Sequence, residues 1–275
     1  MLIRDLFATA IVERIEPVVK VGDRRPEVLA SELGSLVVTP QWERFLHLAL
    51  DAYTNAADRD DEGGVGIWIS GFFGSGKSLL MKTLGALLVG GEIGQQRVHD
   101  LFLQRLPSHS PDRADIQRFL AICDRTIATT VVGGNLHTEQ ANAGDPLALL
   151  AYKLFARSAG YSSNWPMAWA VEHHIDERGR LADYQRRAEA LTGKPWSRIA
   201  RDTSSHIGKL FQAAAEVLPE DYAAVADVER SITAALQEGG VTPSALVHRL
   251  RTWCVARDAA GVAVMECGVT YIVGR

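Results

Sequence analysis

The chain has 275 residues, with 33 acidic and 29 basic side chains, a formal net charge of -4 and a hydrophobic fraction of 47%. This is an ordinary globular composition with enough apolar material for a core, so it excludes long disorder as the main state. The charge balance gives no support to direct nucleic-acid binding outside a larger complex. No run approaches the ~18 apolar residues of a membrane-spanning helix, and charges near the N-terminus interrupt any signal-peptide core. We therefore expect a cytoplasmic protein without membrane contact.

The three cysteines, Cys123, Cys254 and Cys267, are widely spaced and form no paired motif. Metal-binding patterns and disulfide scaffolds rely on paired or regularly spaced cysteines, so the sequence predicts neither. Free, buried thiols are the expectation.

Residues 1–60 are predicted to form an N-terminal docking segment that ends in a helix. Two short strand-like runs, at 18–23 and 35–38, precede this helix. Thr39 is a favourable N-cap, and Pro40 is suited to the first helical position. The apolar face of the predicted helix comprises Trp42, Phe45, Leu46, Leu48, Ala49 and Tyr53.

The remainder, residues 61–275, has the pattern of an α/β domain. Residues 65–70 form a compact apolar run that predicts a buried parallel strand, and a glycine-rich turn and a helix follow it. Residues 126–136 predict the next strand, and residues from 261 onward predict the last one. Between them, residues from about 144 to 258 have helical periodicity. A connection of roughly a hundred residues exceeds an ordinary crossover between parallel strands, so we interpret it as a helical insertion.

The glycine-rich turn carries the motif that predicts chemistry. Residues 71–78, GFFGSGKS, match the P-loop pattern G-x-x-x-x-G-K-[ST]. Glycines let the backbone N–H groups approach a phosphate closely, and the following helix directs its positive dipole end at the same anion. In such a loop the lysine, here Lys77, binds the β- and γ-phosphates, and the hydroxyl of Ser78 binds Mg²⁺. The predicted Mg·ATP-binding residues are Gly71, Gly74, Ser75, Gly76, Lys77 and Ser78.

A P-loop ATPase also needs an acidic residue that holds Mg²⁺, and usually a second one that polarises water. Asp124 ends one apolar run and residues 222–229 form another, but both segments have helical patterns. Glu266 ends the most strand-like run and is the predicted catalytic acid. Met265 precedes it, and a thioether is a poor Mg²⁺ ligand. Either Glu266 acts alone or hydrolysis is impaired.

Three further positions near the motif have alternative interpretations. Asn135, after the second predicted strand, is either a residue that restrains the catalytic glutamate or an ordinary turn asparagine. Phe72 and Phe73 either pack beneath the loop, which we favour, or stack near a bound base.

A set of segments along the chain resembles a known family, the BREX BrxC and phage growth limitation PglY family of large P-loop ATPases from phage-exclusion systems. The resemblance is specific only in the P-loop block. The segments that carry it are Ile3–Phe7, Val37–Thr39, Gly66–Ser78, Asn135, Gly160–Tyr161, Trp196 and Arg201.

The resemblance implies an AAA-like P-loop core and activity within a defence complex. Members of the family are far longer, and their acidic strand ends in Asp-Glu where this chain has Met265 and Glu266. The chain therefore looks like a truncated member with an incomplete core. Flanking strands that come later in the family are missing, so we expect the strand at 65–70 to expose unpaired backbone groups. A fragment of low stability, or one that pairs with a partner, is the consequence.

Three functions are consistent with the sequence. The leading hypothesis is an ATP-binding ATPase component of a phage-defence system, with other defence proteins as partners and a homo-oligomer left open. The second is a non-hydrolysing nucleotide-binding interaction module or a remnant of such an ATPase, which Met265 favours. The third is a small-molecule kinase that uses the helical segment as an acceptor lid. The long segment before the P-loop argues against this third hypothesis.

Overall fold

The structure, a computed structural model, describes residues 19–58, 65–70, 72, 74–134, 142, 144–257, 261–266 and 269–274. The chain divides into two compact units, one comprising Met1–Asn135 with Asp258–Arg275 and the other comprising Leu136–Arg257. The described part is mostly helical, with a small mixed sheet in the first unit. None of the described helices combines the length and apolarity needed to cross a bilayer.

The first unit surrounds a four-stranded sheet with helices. Its helices are α1 (Pro26–Gly34), α2 (Pro40–Asp58), α3 (Lys77–Val89), α4 (Val98–Leu103) and α5 (Arg113–Thr126). Its strands are β1 (Val65–Trp68), the short pair β2 (Glu92–Ile93) and β3 (Gln96–Arg97), then β4 (Thr129–Gly134), β5 (Gly261–Glu266) and β6 (Val269–Gly274). Residues 19–58 therefore belong to the same unit as the strand before the P-loop.

The strand order in the sheet is β1-β6-β5-β4. β4 and β5 are parallel, whereas β6 is antiparallel to both β5 and β1. Because β1 and β5 are both antiparallel to β6, they run in the same direction as each other and as β4. The carboxyl ends of β1, β4 and β5 therefore lie at one edge of the sheet. This edge is where ligands bind in open sheets of parallel strands.

Two expectations for the strands are wrong. The run from 261 onward forms two strands and not one. Residues 267 and 268 separate β5 from β6, and the two strands pair as an antiparallel hairpin. Among the described strands β1 pairs with the antiparallel β6 and with no parallel strand, and its side chains at Val65 and Ile67 are half-buried. A later strand, β6, pairs with all four residues of β1 along one side, and no described strand pairs with its other side, which agrees with the expectation of exposed backbone groups.

The segment before α2 differs from the expectation of two short strands. Residues 19–23 contain a turn, and residues 35–39 pair with no described strand. Leu36 and Val38 are buried while Val37 is 78% exposed, so the alternation that suggests a strand arises from packing on the core without a ladder. Helix α1, which the sequence did not predict, begins at Pro26, a residue suited to a first helical turn.

Helix α2 fits the sequence prediction. The backbone N–H of Trp42 donates to Thr39 Oγ1 at 3.3 Å, which is the expected N-cap bond. Leu46, Ala49 and Tyr53 are buried, and the Tyr53 hydroxyl lies 2.6 Å from Thr129 Oγ1 on β4. The predicted apolar face is wider than the buried one, because Phe45 and Leu48 are about half exposed at 45% and 53%.

Helix α3 is the centre of the first unit, and each of its residues from Leu80 to Leu88 is buried. One of these residues is charged: Lys82 Nζ lies 2.6 Å from Glu32 Oε2 on α1. Both side chains are largely removed from water, with 3% and 14% of their surface exposed. The pair compensates a charge that burial alone would make costly, and it connects α3 to α1.

The second unit is helical throughout its described part. Its elements are α6 (Leu147–Ser158), α7 (Trp165–Met167), a π-helical turn (Ala168–Glu172), α8 (His173–Glu177), α9 (Leu181–Thr192), α10 (Trp196–Ile199), a 3-10 turn (Ser204–His206), α11 (Ile207–Val217), α12 (Val225–Gln237) and α13 (Pro243–Ala256). Asn164 and Thr242 are N-caps: the Met167 N–H donates to Asn164 Oδ1 at 3.1 Å, and the Ala245 N–H donates to Thr242 Oγ1 at 3.2 Å.

Buried aromatic side chains form much of the core of the second unit. Tyr152 packs edge-on against Trp169, with ring centroids 4.8 Å apart, and Phe155 packs edge-on against Trp253 at 5.1 Å. Such tilted contacts are favoured between aromatic rings. Adjacent residues on α8 point apart: His173 is fully buried and His174 is partly exposed. Cys123 and Cys254 are buried, and Cys267 lies outside the described residues.

Candidate functional site

The backbone between β1 and α3 has the conformation that the glycines of the motif allow. Gly74 and Gly76 have φ angles of 80° and 81°, in the region that residues with a β-carbon rarely adopt. The Ser75 N–H donates to the Phe72 carbonyl at 3.2 Å, which closes a tight turn within the loop. Gly71 and Phe73, the first and third residues of the motif, lie outside the described residues. The described part of the loop is thus a compact turn that ends at a helix N-terminus.

Gly76 has a second constraint, which comes from α2. A β-carbon at Gly76 would lie 3.2 Å from Trp42 Cζ2, which is closer than ordinary packing allows. The side chain of Trp42 therefore supports the last glycine of the loop. The sequence pattern predicts Trp42 only as part of the apolar face of α2, because nothing in the sequence indicates which residue contacts the loop.

The two polar side chains of the motif lie in the first turn of α3. Lys77 begins the helix, and its ammonium group donates to the Phe72 carbonyl at 2.8 Å. Ser78 follows, and both residues are half-buried. The ammonium group is thus placed beside the loop backbone, and both residues lie in the first turn of α3, at the positive end of its dipole. This is an arrangement that attracts anions.

The backbone of Glu266 is at the same edge of the sheet as this loop. Glu266 is the last residue of β5 and pairs with Gly134, the last residue of β4. In β1, the residue at the corresponding level is Trp68, which pairs with Val269 at the start of β6. Since β6 separates β1 from β5, the backbones of Glu266 and Trp68 are about two strand spacings apart, or ~10 Å.

Asp124, another of the acidic candidates, is not at this edge. Asp124 lies in α5, as the helical pattern predicts, and it accepts hydrogen bonds from Arg97 and from His99 Nδ1. His99 Nε2 in turn contacts the Leu87 carbonyl in the last turns of α3. α3 has 13 residues, so Asp124 is close to the end of the helix opposite Lys77, roughly 15–20 Å away.

Residues 222–229 also have a structural role. They lie in the second unit, where α12 begins at Val225. Asp227 accepts the Ala224 N–H at 2.9 Å and so caps this helix. Asp124 is therefore not a candidate acid for the loop, and Asp227 has a capping role within its own unit.

Phe72 does not pack beneath the loop, contrary to the favoured expectation. Its side chain is 92% exposed, while its carbonyl accepts hydrogen bonds from the Ser75 N–H and the Lys77 ammonium. Asn135, predicted to lie beside the site, falls outside the described residues. Among the described residues, no group of three or more His, Cys, Asp or Glu side chains has the arrangement of a metal site.

No protein-family model matches this chain, and no solved structure matches it significantly. The chemistry of the site therefore has to be inferred from its own residues.

Proposed function

We propose that this chain binds Mg·ATP through residues 71–78. The observation that carries the proposal is the described loop itself: two glycines with positive φ lead into a helix whose first two residues are Lys77 and Ser78. The donor set fits a polyphosphate, because it combines an ammonium group, a hydroxyl group and the N-terminus of a 13-residue helix. Trp42 favours glycine at position 76 by a direct steric contact.

Each part of the loop has a distinct role in this proposal. The backbone N–H groups from Gly74 to Ser78, together with Gly71, would surround the β-phosphate. Lys77 would exchange its bond to the Phe72 carbonyl for the phosphate oxygens, because an ionised acceptor makes the stronger hydrogen bond. Ser78 would hold Mg²⁺, which, when bound, neutralises the charge of the phosphates.

We further propose an AAA-like ATPase component of a phage-defence system as the biological context. This proposal rests on the sequence resemblance to the BREX BrxC and PglY family and on the P-loop. In it, nucleotide binding would control a larger complex, with other defence proteins as partners and with DNA contacted only within that complex. Glu266 would polarise the attacking water, and Asn135 would restrain the Glu266 side chain.

A second candidate function, nucleotide binding without hydrolysis, is favoured by the surroundings of Glu266. Met265 stands where an Mg²⁺-binding aspartate is expected. In addition, β6 lies between β1 and β5, which keeps the Glu266 backbone ~10 Å from that of β1. The Met265→Asp variant discriminates between the two functions. A damaged ATPase gains phosphate release on this substitution, whereas a binding module gains none.

The experiment that tests ATP binding is calorimetric titration of the whole chain with Mg·ATP. We expect saturable binding that weakens at least tenfold in Lys77→Ala. Lys209→Ala is the matched control, because Lys209 is an exposed lysine on α11 of the second unit. Equal affinities for the parent chain and Lys77→Ala would contradict the proposal, and so would the absence of binding to a folded parent chain.

A further inference from the structure

The second unit contains a cavity that the P-loop function does not use. Its volume is about 460 Å³, within the range of small-molecule sites. α6, the turn after it and α10 supply most of its wall. The lining residues that bear on its chemistry are Lys153, Arg157, Arg201, Trp165, Trp196 and Ser163.

The described lining of this cavity contains three cations and no carboxylate. Lys153 and Arg157 are four residues apart on α6 and therefore on one side of that helix. Lys153 Nζ forms an ion pair with Asp145 at 2.9 Å, so its charge is partly compensated. Arg201, which follows α10, is exposed and takes part in no ion pair among the described residues. Such a wall favours an anion, and guanidinium groups suit phosphate oxygens in particular.

Two indole rings line the same cavity. Trp196 is held in place from two sides: its Nε1–H donates to the Gly160 carbonyl at 2.8 Å, and its ring packs against Tyr184 at 5.5 Å. Trp165 is supported by Gly240, where a β-carbon would lie 3.2 Å from its ring. Both rings are half-buried and their positions are constrained. Constrained aromatic faces are the usual platform for a planar base.

One lining residue, Ser162, contacts a buried carboxyl group behind the wall. The Ser162 N–H donates to Glu172 Oε2 at 2.6 Å, and Glu172 is fully buried. Burial raises the pKa of Glu172 to about 7, against the opposing effect of its hydrogen bonds from Ser162 and Tyr184. Near neutral pH a large fraction of this carboxyl is therefore uncharged. It consequently repels an anion in the cavity less than a full negative charge would.

We propose that this cavity binds a nucleotide unit, with the phosphate at Arg157 and Arg201 and the base against Trp165 and Trp196. A free mononucleotide and one unit of a single strand present the same chemistry, a phosphate joined to a planar base. The site lies wholly within the second unit and does not depend on the P-loop. Its ligand can therefore be tested independently of the proposed ATP binding.

The test uses the whole chain carrying Lys77→Ala, which should weaken nucleotide binding at the P-loop. Calorimetric titration with AMP is expected to give saturable binding, and adenosine is expected to bind at least tenfold more weakly because it lacks the phosphate. Adding Arg157→Ala and Arg201→Ala together should weaken AMP binding at least tenfold. The control is Arg186→Ala, since Arg186 is an exposed arginine on α9 that does not line the cavity.

A second variant keeps the test informative if the arginine substitutions disturb folding. Ser197→Tyr adds a ring at an exposed lining position of α10 and should block AMP by filling the cavity. Competition with an octathymidylate strand distinguishes the two possible ligands. If the strand displaces AMP, the ligand is a unit of a nucleic-acid strand; if it does not, the ligand is a free nucleotide. The proposal is overturned if AMP does not bind the Lys77→Ala chain, if adenosine binds equally well, or if the cavity variants leave AMP affinity unchanged.

Discussion

Trp42 on α2 packs against Gly76 so closely that a β-carbon at position 76 would lie 3.2 Å from Trp42 Cζ2. The last glycine of the loop is therefore constrained twice, by its φ angle of 81° and by a side chain 34 positions earlier in the sequence. This contact links the segment before the P-loop to the glycine-rich turn of the motif. It implies that residues 40–58 contribute to the shape of the loop as well as to the core.

The first prediction concerns Gly76→Ala. Forcing a β-carbon into the left-handed region costs about 1–2 kcal/mol, and the contact with Trp42 adds to this cost. Gly91→Ala is the matched control, because Gly91 has a φ of 83° but no heavy atom within 4 Å of the added carbon. We expect both variants to lower the free energy of unfolding in urea, and Gly76→Ala to lower it more. Only Gly76→Ala should also abolish Mg·ATP binding. Equal effects of the two substitutions would disprove the role of Trp42.

The second prediction concerns the buried pair between Lys82 and Glu32. Lys82→Met leaves a largely buried carboxylate without its partner, which should cost about 3 kcal/mol of unfolding free energy. The double variant Lys82→Met/Glu32→Met removes both charges and should recover most of the loss. Chemical denaturation of the three chains provides the comparison. A double variant as unstable as the single one would show that the pair is not the reason for the loss.

The third prediction is that Asp124 takes no part in the proposed nucleotide site. Asp124 accepts hydrogen bonds from Arg97 and His99 at the far end of α3. Asp124→Asn should therefore lower the free energy of unfolding by about 1–2 kcal/mol through these weakened bonds. It should leave the affinity for Mg·ATP unchanged in calorimetry. A tenfold loss of affinity in a folded Asp124→Asn chain would mean that this acid serves the loop.

The fourth prediction concerns two adjacent buried groups, Glu172 and His173. Burial raises the pKa of Glu172 from 4.5 to about 7, so its contribution to stability is present below pH 4.5 and lost as pH rises to 7. Burial lowers the pKa of His173 from 6.5 to about 3, so its contribution is present above pH 6.5 and lost as pH falls to 3. Between pH 4.5 and 6.5 the two slopes have opposite signs and largely offset each other.

Glu172→Gln leaves only the histidine effect. From pH 4.5 to 6.5, the stability of this variant relative to the parent chain should rise by about 2 kcal/mol. The other charged groups near the pair, including Asp176, Arg249 and Arg257, remain in both chains and contribute a common background. Glu220→Gln, an exposed substitution, should give a profile parallel to that of the parent. Parallel profiles for Glu172→Gln and the parent chain would contradict the assigned Glu172 pKa.

Local sequence signals predicted the elements around the loop well. The apolar run at 65–68, the P-loop glycines and the helix from Lys77 each depend on short-range patterns, and β1, the loop and α3 follow them. The N-caps Thr39, Asn164 and Thr242 are likewise local, because an N-cap bonds to a residue three positions later. These features could be read from the sequence since neighbouring residues determine them.

Features set by tertiary pairing could not be predicted in the same way. The position of β6 between β1 and β5 depends on a ladder between segments about 200 residues apart in the chain, which no local pattern encodes. The exposure of Phe72 depends on the packing around the loop, which the motif itself does not specify. The cavity in the second unit brings together side chains from α6 and α10, and its signal in the sequence was limited to isolated basic and aromatic residues.

Amide hydrogen exchange of the whole chain, with and without saturating Mg·ATP, tests the central claim most directly because it locates the binding site. We predict slower exchange in peptides covering residues 72–80, since the loop amides and the first turn of α3 would bind phosphate oxygens. The same protection should disappear in Lys77→Ala and persist in Lys209→Ala. Unchanged exchange at residues 72–80 under saturating Mg·ATP would contradict the claim that the P-loop binds the nucleotide.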